Sequence, residues 1–259
     1  MAVGFDSVGI GDYAWSNYAQ SLTAAFNHTA GGGEAAIAGV TFSAGDYRLL
    51  WYSESVELAD LTRTVTYGDT PMVSVGLPPA WNDTEDAWTE VFVAFGVPSG
   101  SQRVEAKVSG GVNVARRLRV SVATYAGVDS IGDPILAHGS GTAMTIAGTA
   151  AAADRFVGVF GTQSGISAFN GDQRYLSNSG ISLLMGDVAG TGSSQDVTAT
   201  RQKSGKWSGL LIPLNAADTV ASSAPLSFAP RMDPVRLHRE QRTGGLQRNV
   251  FTVEAPEES

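Results

Sequence analysis

The sequence contains no cysteine and only three histidines, His28, His138 and His238. Without cysteine there is no disulfide scaffold, no thiolate metal site and no cysteine nucleophile, so packing and hydrogen bonds must hold the fold. No apolar run approaches the roughly 18 residues that a membrane helix requires. The longest stretches, such as residues 209–214, suit single strands. Met1-Ala2-Val3-Gly4-Phe5-Asp6 has neither the basic region nor the apolar core of a secretory signal, which makes the N-x-T sequons at Asn27 and Asn82 chance occurrences. Charge is sparse as well. Only 16% of the 259 residues are charged, and 25 acids outnumber 17 bases, for a formal net charge of −8. That balance argues against general nucleic-acid binding, which needs clustered Lys and Arg to neutralise phosphate.

What is abundant is glycine, at 31 residues, accompanied by Ala, Ser, Thr and Val. This is the mixture of strands joined by tight turns. Period-two alternation is the main signal. In Arg103-Val104-Glu105-Ala106-Lys107-Val108 the apolar residues fall on one face and the charged ones on the other; residues 117–125 repeat the pattern. Such strands predict one wet face, the antiparallel habit. Residues 90–95 and 155–160 are more continuously apolar and read as central strands. Further strands are expected at 35–42, 48–56, 62–67, 70–75, 142–148, 182–185, 196–203 and 206–214. Turn residues separate them, among them Tyr67-Gly68-Asp69-Thr70-Pro71, Pro98-Ser99-Gly100, Asn170-Gly171-Asp172 and Ser204-Gly205-Lys206. Residues 147–154 are Ala-rich, but Gly148 and Thr149 argue against a helix there. About ten short strands without helices predict an all-β fold, an antiparallel two-sheet β-sandwich of jelly-roll type over residues 1–216.

The composition changes after residue 216. Residues 217–230, rich in Ala, Ser and Pro, read as a linker. Asp233-Pro234 is a good helix start, Gly244-Gly245 a stop, and residues 246–253 read as one more strand. The span through residue 230 holds 12 bases and 20 acids, whereas 231–248 holds five bases and two acids. Residues 231–259 read as a C-terminal extended arm, basic over 231–248 and ending in the acids Glu254, Glu257 and Glu258, and such a basic stretch on an acidic body predicts assembly. Arg236, Arg239 and Arg242 are expected to meet acidic surface, and Leu246, Val250, Phe251 and Val253 to be buried in a partner. The alternative is a frayed terminus, on which those four apolar residues would be wasted.

Chemistry-bearing patterns are few. No G-x-S-x-G elbow accompanies a histidine, and no two histidines share a metal-ligand spacing. Gly205-Lys206 lacks the earlier glycine of a phosphate loop, since residue 200 is Thr, and Trp207 follows it. The loop around Trp81 is the one candidate ligand site. Trp81 beside Asn82, Asp83, Glu85 and Asp86 combines an aromatic face for stacking on a sugar with groups that bind hydroxyls or Ca²⁺, although EF-hand spacing is absent. The competing reading is a solvated acidic hairpin with Trp81 folded onto the rim. Twenty acids in the body indicate no particular carboxylate pair for glycoside hydrolysis. The expectation is therefore no catalytic residue, no metal and no cofactor.

The order of motifs carries a resemblance. Phe26-Asn27-His28-Thr29 and a glycine-rich turn precede Thr64-Val65-Thr66-Tyr67-Gly68-Asp69-Thr70-Pro71-Met72, then Trp88 and Val97-Pro98-Ser99-Gly100. The run from Arg119 to Asp129 and then Trp207-Ser208-Gly209-Leu210 follow. Over residues 1–216 this resembles the jelly-roll modules of minor tail and other virion-surface proteins of phages infecting actinobacteria. The resemblance implies a structural virion component made in the host cytoplasm. Its implied partners are other virion proteins, copies of itself and a host-surface glycan, with neither nucleic acid nor membrane insertion. A capsid decoration protein, a carbohydrate-binding module and a cell-wall glycoside hydrolase are the alternatives.

Overall fold

A computed structural model describes residues 2–9, 13–16, 20–28, 35–44, 61–76, 88–98, 100–110 and 116–217. All fall in the compact unit Met1–Thr219; a second unit, Val220–Ser259, lies outside the described residues. The described residues form seventeen strands. The first ten are β1 (Gly4–Gly9), β2 (Tyr13–Ser16), β3 (Gln20–His28), β4 (Ala35–Ala44), β5 (Leu61–Tyr67), β6 (Thr70–Pro71), β7 (Val73–Ser74), β8 (Trp88–Phe95), β9 (Gly100–Gly110) and β10 (Arg116–Ala126). Then come β11 (Val128–Ile131), β12 (Ile135–Thr149), β13 (Arg155–Thr162), β14 (Ile166–Phe169), β15 (Asp172–Ser177), β16 (Ser182–Ala189) and β17 (Ser194–Ala216). Every pairing among them is antiparallel.

Pairings in the first ten strands are nested. β1 pairs β10, β3 pairs β9, β4 pairs β8 and β5 pairs β6. Two further pairings, β10 with β4 and β9 with β5, knit this ribbon into two sheets. One is the middle sheet, β1-β10-β4-β8-β7 with β2 also on β10, and the other is the outer sheet, β3-β9-β5-β6. The third sheet, β11-β17-β13-β16-β15 with β12 and β14 also on β17, takes up the rest of the described chain.

Three cores follow from this stacking. Ala36, Ala38, Val40, Leu118, Val120 and Val122 of the middle sheet pack on Val65, Tyr67, Val104, Ala106 and Val108 of the outer sheet. The opposite face of the middle sheet, with Ile37, Val91, Val93 and Tyr125, packs on Val157, Val159, Leu183, Met185 and Leu210 of the third. Beyond it, Phe156, Phe160, Leu184 and Leu211 are covered by Met144, Ile146, Val197, Ala199 and Trp207 of the β12–β17 ribbon. Central segments of β4, β8 and β10 in the middle sheet and of β13 and β16 in the third are thus buried on both faces. Residues 35–40, 89–94 and 156–162 are buried without interruption, mainly on apolar side chains and glycine, while Thr89, Glu90 and Thr162 are buried with hydrogen-bond partners.

The expectation of two sheets is therefore corrected to three. Alternation was also misleading for β10: Arg119, Ser121 and Thr124 are buried, so residues 118–125 of that strand have no wet face. The outer-sheet strand β9 does have one, with Arg103 and Lys107 exposed. Ser204-Gly205-Lys206 makes no turn, and residues 196–203 and 206–214 belong to the single strand β17. Its pairing with β12 jumps between Gly141–Gly205 and Ala143–Thr200, so β17 carries extra residues there, a bulge that bends the ribbon. Arg201 fills that bend, donating from Nε to Ser164 Oγ at 2.9 Å and from Nη1 to the Gly141 carbonyl at 3.2 Å. Residues 70–75 divide into β6 and β7, residues 147–149 end β12 as strand, and residues 48–56 lie outside the described residues.

Close approach of the middle and third sheets depends on Gly39. A Cβ built there would lie 2.8 Å from Val159 Cγ1 and 3.0 Å from Met185 Cε. Forcing a branched side chain into a packed interface typically costs about 1–3 kcal/mol. Gly39→Val should lower the unfolding free energy by about that amount, measured by urea denaturation.

Candidate functional site

Four charged residues are buried among the described residues, Glu90, Arg119, Asp187 and Arg201. Burying a charge is costly unless it is paired and hydrogen-bonded. Asp187, on β16, is 1% exposed and faces the middle sheet. Arg174 of β15 donates to it from Nε at 2.6 Å, Arg155 of β13 donates from Nη1, and the Tyr125 hydroxyl of β10 donates at 3.1 Å. The Arg174 guanidinium also lies 3.9 Å from the centroid of the Phe5 ring, which meets Tyr125 edge-on. Burial, and then the adjacent Asp187 charge, push the Tyr125 phenol well above its ordinary value, so it remains a proton donor.

Arg119 makes a second tie between the same sheets. Its Nε donates to the Ile181 carbonyl at 3.0 Å, its Nη1 to the Tyr175 hydroxyl at 3.2 Å, and its Nη2 to the Ser179 carbonyl. Glu90 joins the middle and outer sheets instead. It accepts from Arg63 Nε and from Ser74 Oγ, both at 2.7 Å. Burial raises the Glu90 carboxyl above its ordinary value of 4.5, against the lowering effects of Ser74 and Arg63. These groups, with donors and acceptors turned on one another, bind sheet to sheet.

A surface feature differs from them in kind. The third sheet begins with β11, and the middle sheet ends with β7. Between these two margins lies an open groove of about 420 Å³. Val75, Val93 and Phe95 form one wall, and Ile131 and Pro134 the other. Asp129 and Asp133 stand exposed in its lining. Phe95 is 46% exposed and Val73, register partner of Val93, is 67% exposed. The groove continues the core between the middle and third sheets, to which Val75, Ile131 and Leu136 also belong.

Residues singled out from sequence fall elsewhere. Trp81, Asn82, Asp83, Glu85 and Asp86 lie outside the described residues, as do Arg236, Arg239, Arg242, Leu246, Val250, Phe251 and Val253. His28 ends β3, and His138 is exposed on β12. Among the described residues no three acidic or histidine side chains gather as a metal site, and no helix is long and apolar enough to cross a membrane. Sequence reading missed the Asp187 and Arg119 ties because their partners are 13 to 62 residues away in the chain. One signal was present: Asp187 follows Leu183-Leu184-Met185-Gly186, and an acid inside an apolar strand needs a buried partner. No known family model, curated protein or solved structure matches the chain.

Two outcomes follow for the ties. Asp187→Asn leaves Arg155 and Arg174 only the exposed Asp172 carboxylate, 3.8 and 3.0 Å away, as shared counter-charge, and should cost about 1.5–3 kcal/mol in chemical denaturation, whereas Tyr125→Phe should cost about 1–2 kcal/mol. Glu90 should shape the pH dependence. Its folded-state value is raised, so the folded protein holds the proton more tightly than the unfolded chain. The stability this contributes is complete below about 4.5 and is lost as pH rises through the folded-state value. Wild type should therefore lose stability relative to Glu90→Gln over that rise, read from paired denaturation curves at successive pH values.

Proposed function

We propose that this chain is a structural component of a phage virion, a minor tail protein, in which a rigid β body carries a C-terminal arm that joins it to neighbouring subunits. The observation that carries the reading is the disposition of buried charge. Glu90, Arg119, Asp187 and Arg201 are all engaged in tying strands and sheets together, which suits a body whose task is mechanical integrity. The nested pairing of β1 with β10, β3 with β9, β4 with β8 and β5 with β6 supports a jelly-roll reading of residues 4–126, since a jelly roll is an antiparallel ribbon rolled up with its outermost strands paired. This narrows the jelly-roll span from residues 1–216 to the first two sheets. The third sheet is then an added layer that covers the face a lone sandwich would leave to solvent.

Assembly is assigned to the arm, residues 231–259, on its sequence: five arginines beside Leu246, Val250, Phe251 and Val253. Removing residues 231–259 should leave a folded protein that sediments as a monomer, while the full chain self-associates. Undiminished self-association of the shortened chain would sink the reading.

A further inference from the structure

Building on the assembly reading just given, we infer that the groove between β7–β8 and β11 is the seat for the arm of a second copy of this chain, specifically for residues 246–253 with their preceding arginines. Two observations select this occupant. The first is the chemistry of the groove. Its walls are apolar, with Val75, Val93, Phe95 and Ile131, and its lining carries two exposed carboxylates, Asp129 and Asp133. An occupant of complementary character is apolar and basic together. Residues 236–253 supply Arg236, Arg239, Arg242 and Arg248 with Leu246, Val250, Phe251 and Val253. A second groove facing this one would instead oppose like charges.

The second observation is the state of the margins. β7 and β11 each end the strand order of their sheet, and a terminal strand offers backbone donors and acceptors to an incoming extended segment. The chain leaves the described body at Ala217, whose amide donates to the Gly127 carbonyl immediately before β11. Residues 218–230 span at most about 45 Å when extended, enough to carry the arm to the groove of an adjoining body. The single chain leaves Val73 and Phe95 exposed, and an arm seated from a neighbour would cover them. Phe251 is the natural anchor, because aromatic side chains in apolar pockets dominate such interfaces.

The test uses the full chain. A photo-crosslinking phenylalanine analogue is placed at position 251 in one tagged population, which is mixed with an untagged one. Irradiation should join the analogue to the untagged copy within residues 73–95 or 129–134. Crosslinks to another surface of the second copy, or only within the same chain, would overturn the groove assignment while leaving arm-mediated assembly or a self-docked arm, respectively, as the alternative. In parallel, Asp129→Arg with Asp133→Arg, both exposed on the groove lining, should weaken self-association about tenfold, the scale of a lost charge-assisted contact, with the monomer's denaturation midpoint checked alongside. Unchanged self-association of that variant would also overturn the assignment. Deleting residues 231–259 separates the two levels. If deletion abolishes assembly and the groove variant does not, only the groove is wrong; if deletion changes nothing, or the full chain is a monomer, the assembly reading itself fails.

Discussion

The middle sheet is covered on both faces, and most other features of the described body follow from that constraint. A sheet with one wet face can place polar side chains in water at every second position. A sheet sandwiched between two others cannot, so its strands must be apolar on both sides or carry polar groups that find partners inside. β4 and β8 take mainly the first course, with residues 35–40 and 91–94 apolar or glycine. β10 takes the second on one of its faces, through Arg119 and Ser121. Gly39 belongs to the same logic, since the sheets approach too closely there for a side chain.

Buried charges in such a stack act as directional fasteners. Apolar contacts are tolerant of sliding, because one methyl group packs about as well as another. A carboxylate that must satisfy two guanidinium groups and a phenol is far less tolerant. Asp187 draws from β13 and β15 in its own sheet and from β10 in the middle sheet, so its geometry fixes the register of one sheet over the other. Arg119 fixes the same pair of sheets from the opposite side, reaching from β10 to the segment before β16. A buried ion pair contributes little net stability compared with apolar packing of equal volume. Its contribution here lies in selecting one stacking out of several that would bury similar apolar area.

How much was legible in the sequence can be traced to the range of the interactions involved. Local patterns were readable. The all-β antiparallel class, the apolar central strands at 90–95 and 155–160, the wet face of β9 and the turn at Gly68, whose φ is 56°, depend on neighbours a few residues apart. Long-range facts were not. Alternation in β10 looks the same whether its polar face meets water or meets the Ile181 and Ser179 carbonyls about 60 residues away. Likewise, Ser204-Gly205-Lys206 has turn chemistry, yet β12 pairs along the strand on both sides of it and turns the break into a bulge. The groove left no sequence signal, because Val75, Phe95 and Ile131 look like ordinary core residues until the sheets are stacked.

That contrast also separates interior from margin. The buried charges are each occupied by partners within the body, and a ligand could engage them only by breaking ties that hold strands and sheets in place. Recognition by this body is cheapest at its margins, where strand order ends and backbone groups and apolar side chains already face outward. β7 and β11 satisfy both conditions, and the carboxylates at Asp129 and Asp133 add a sign preference to the same place. A net charge of −8 spread evenly would give no such direction. Because the arginines after residue 230 are concentrated in one short span while Asp129 and Asp133 line the groove, the proposed seating of the arm sets opposite charges together, whereas two grooves facing each other would set like charges together, so this seating entails head-to-tail rather than face-to-face contact.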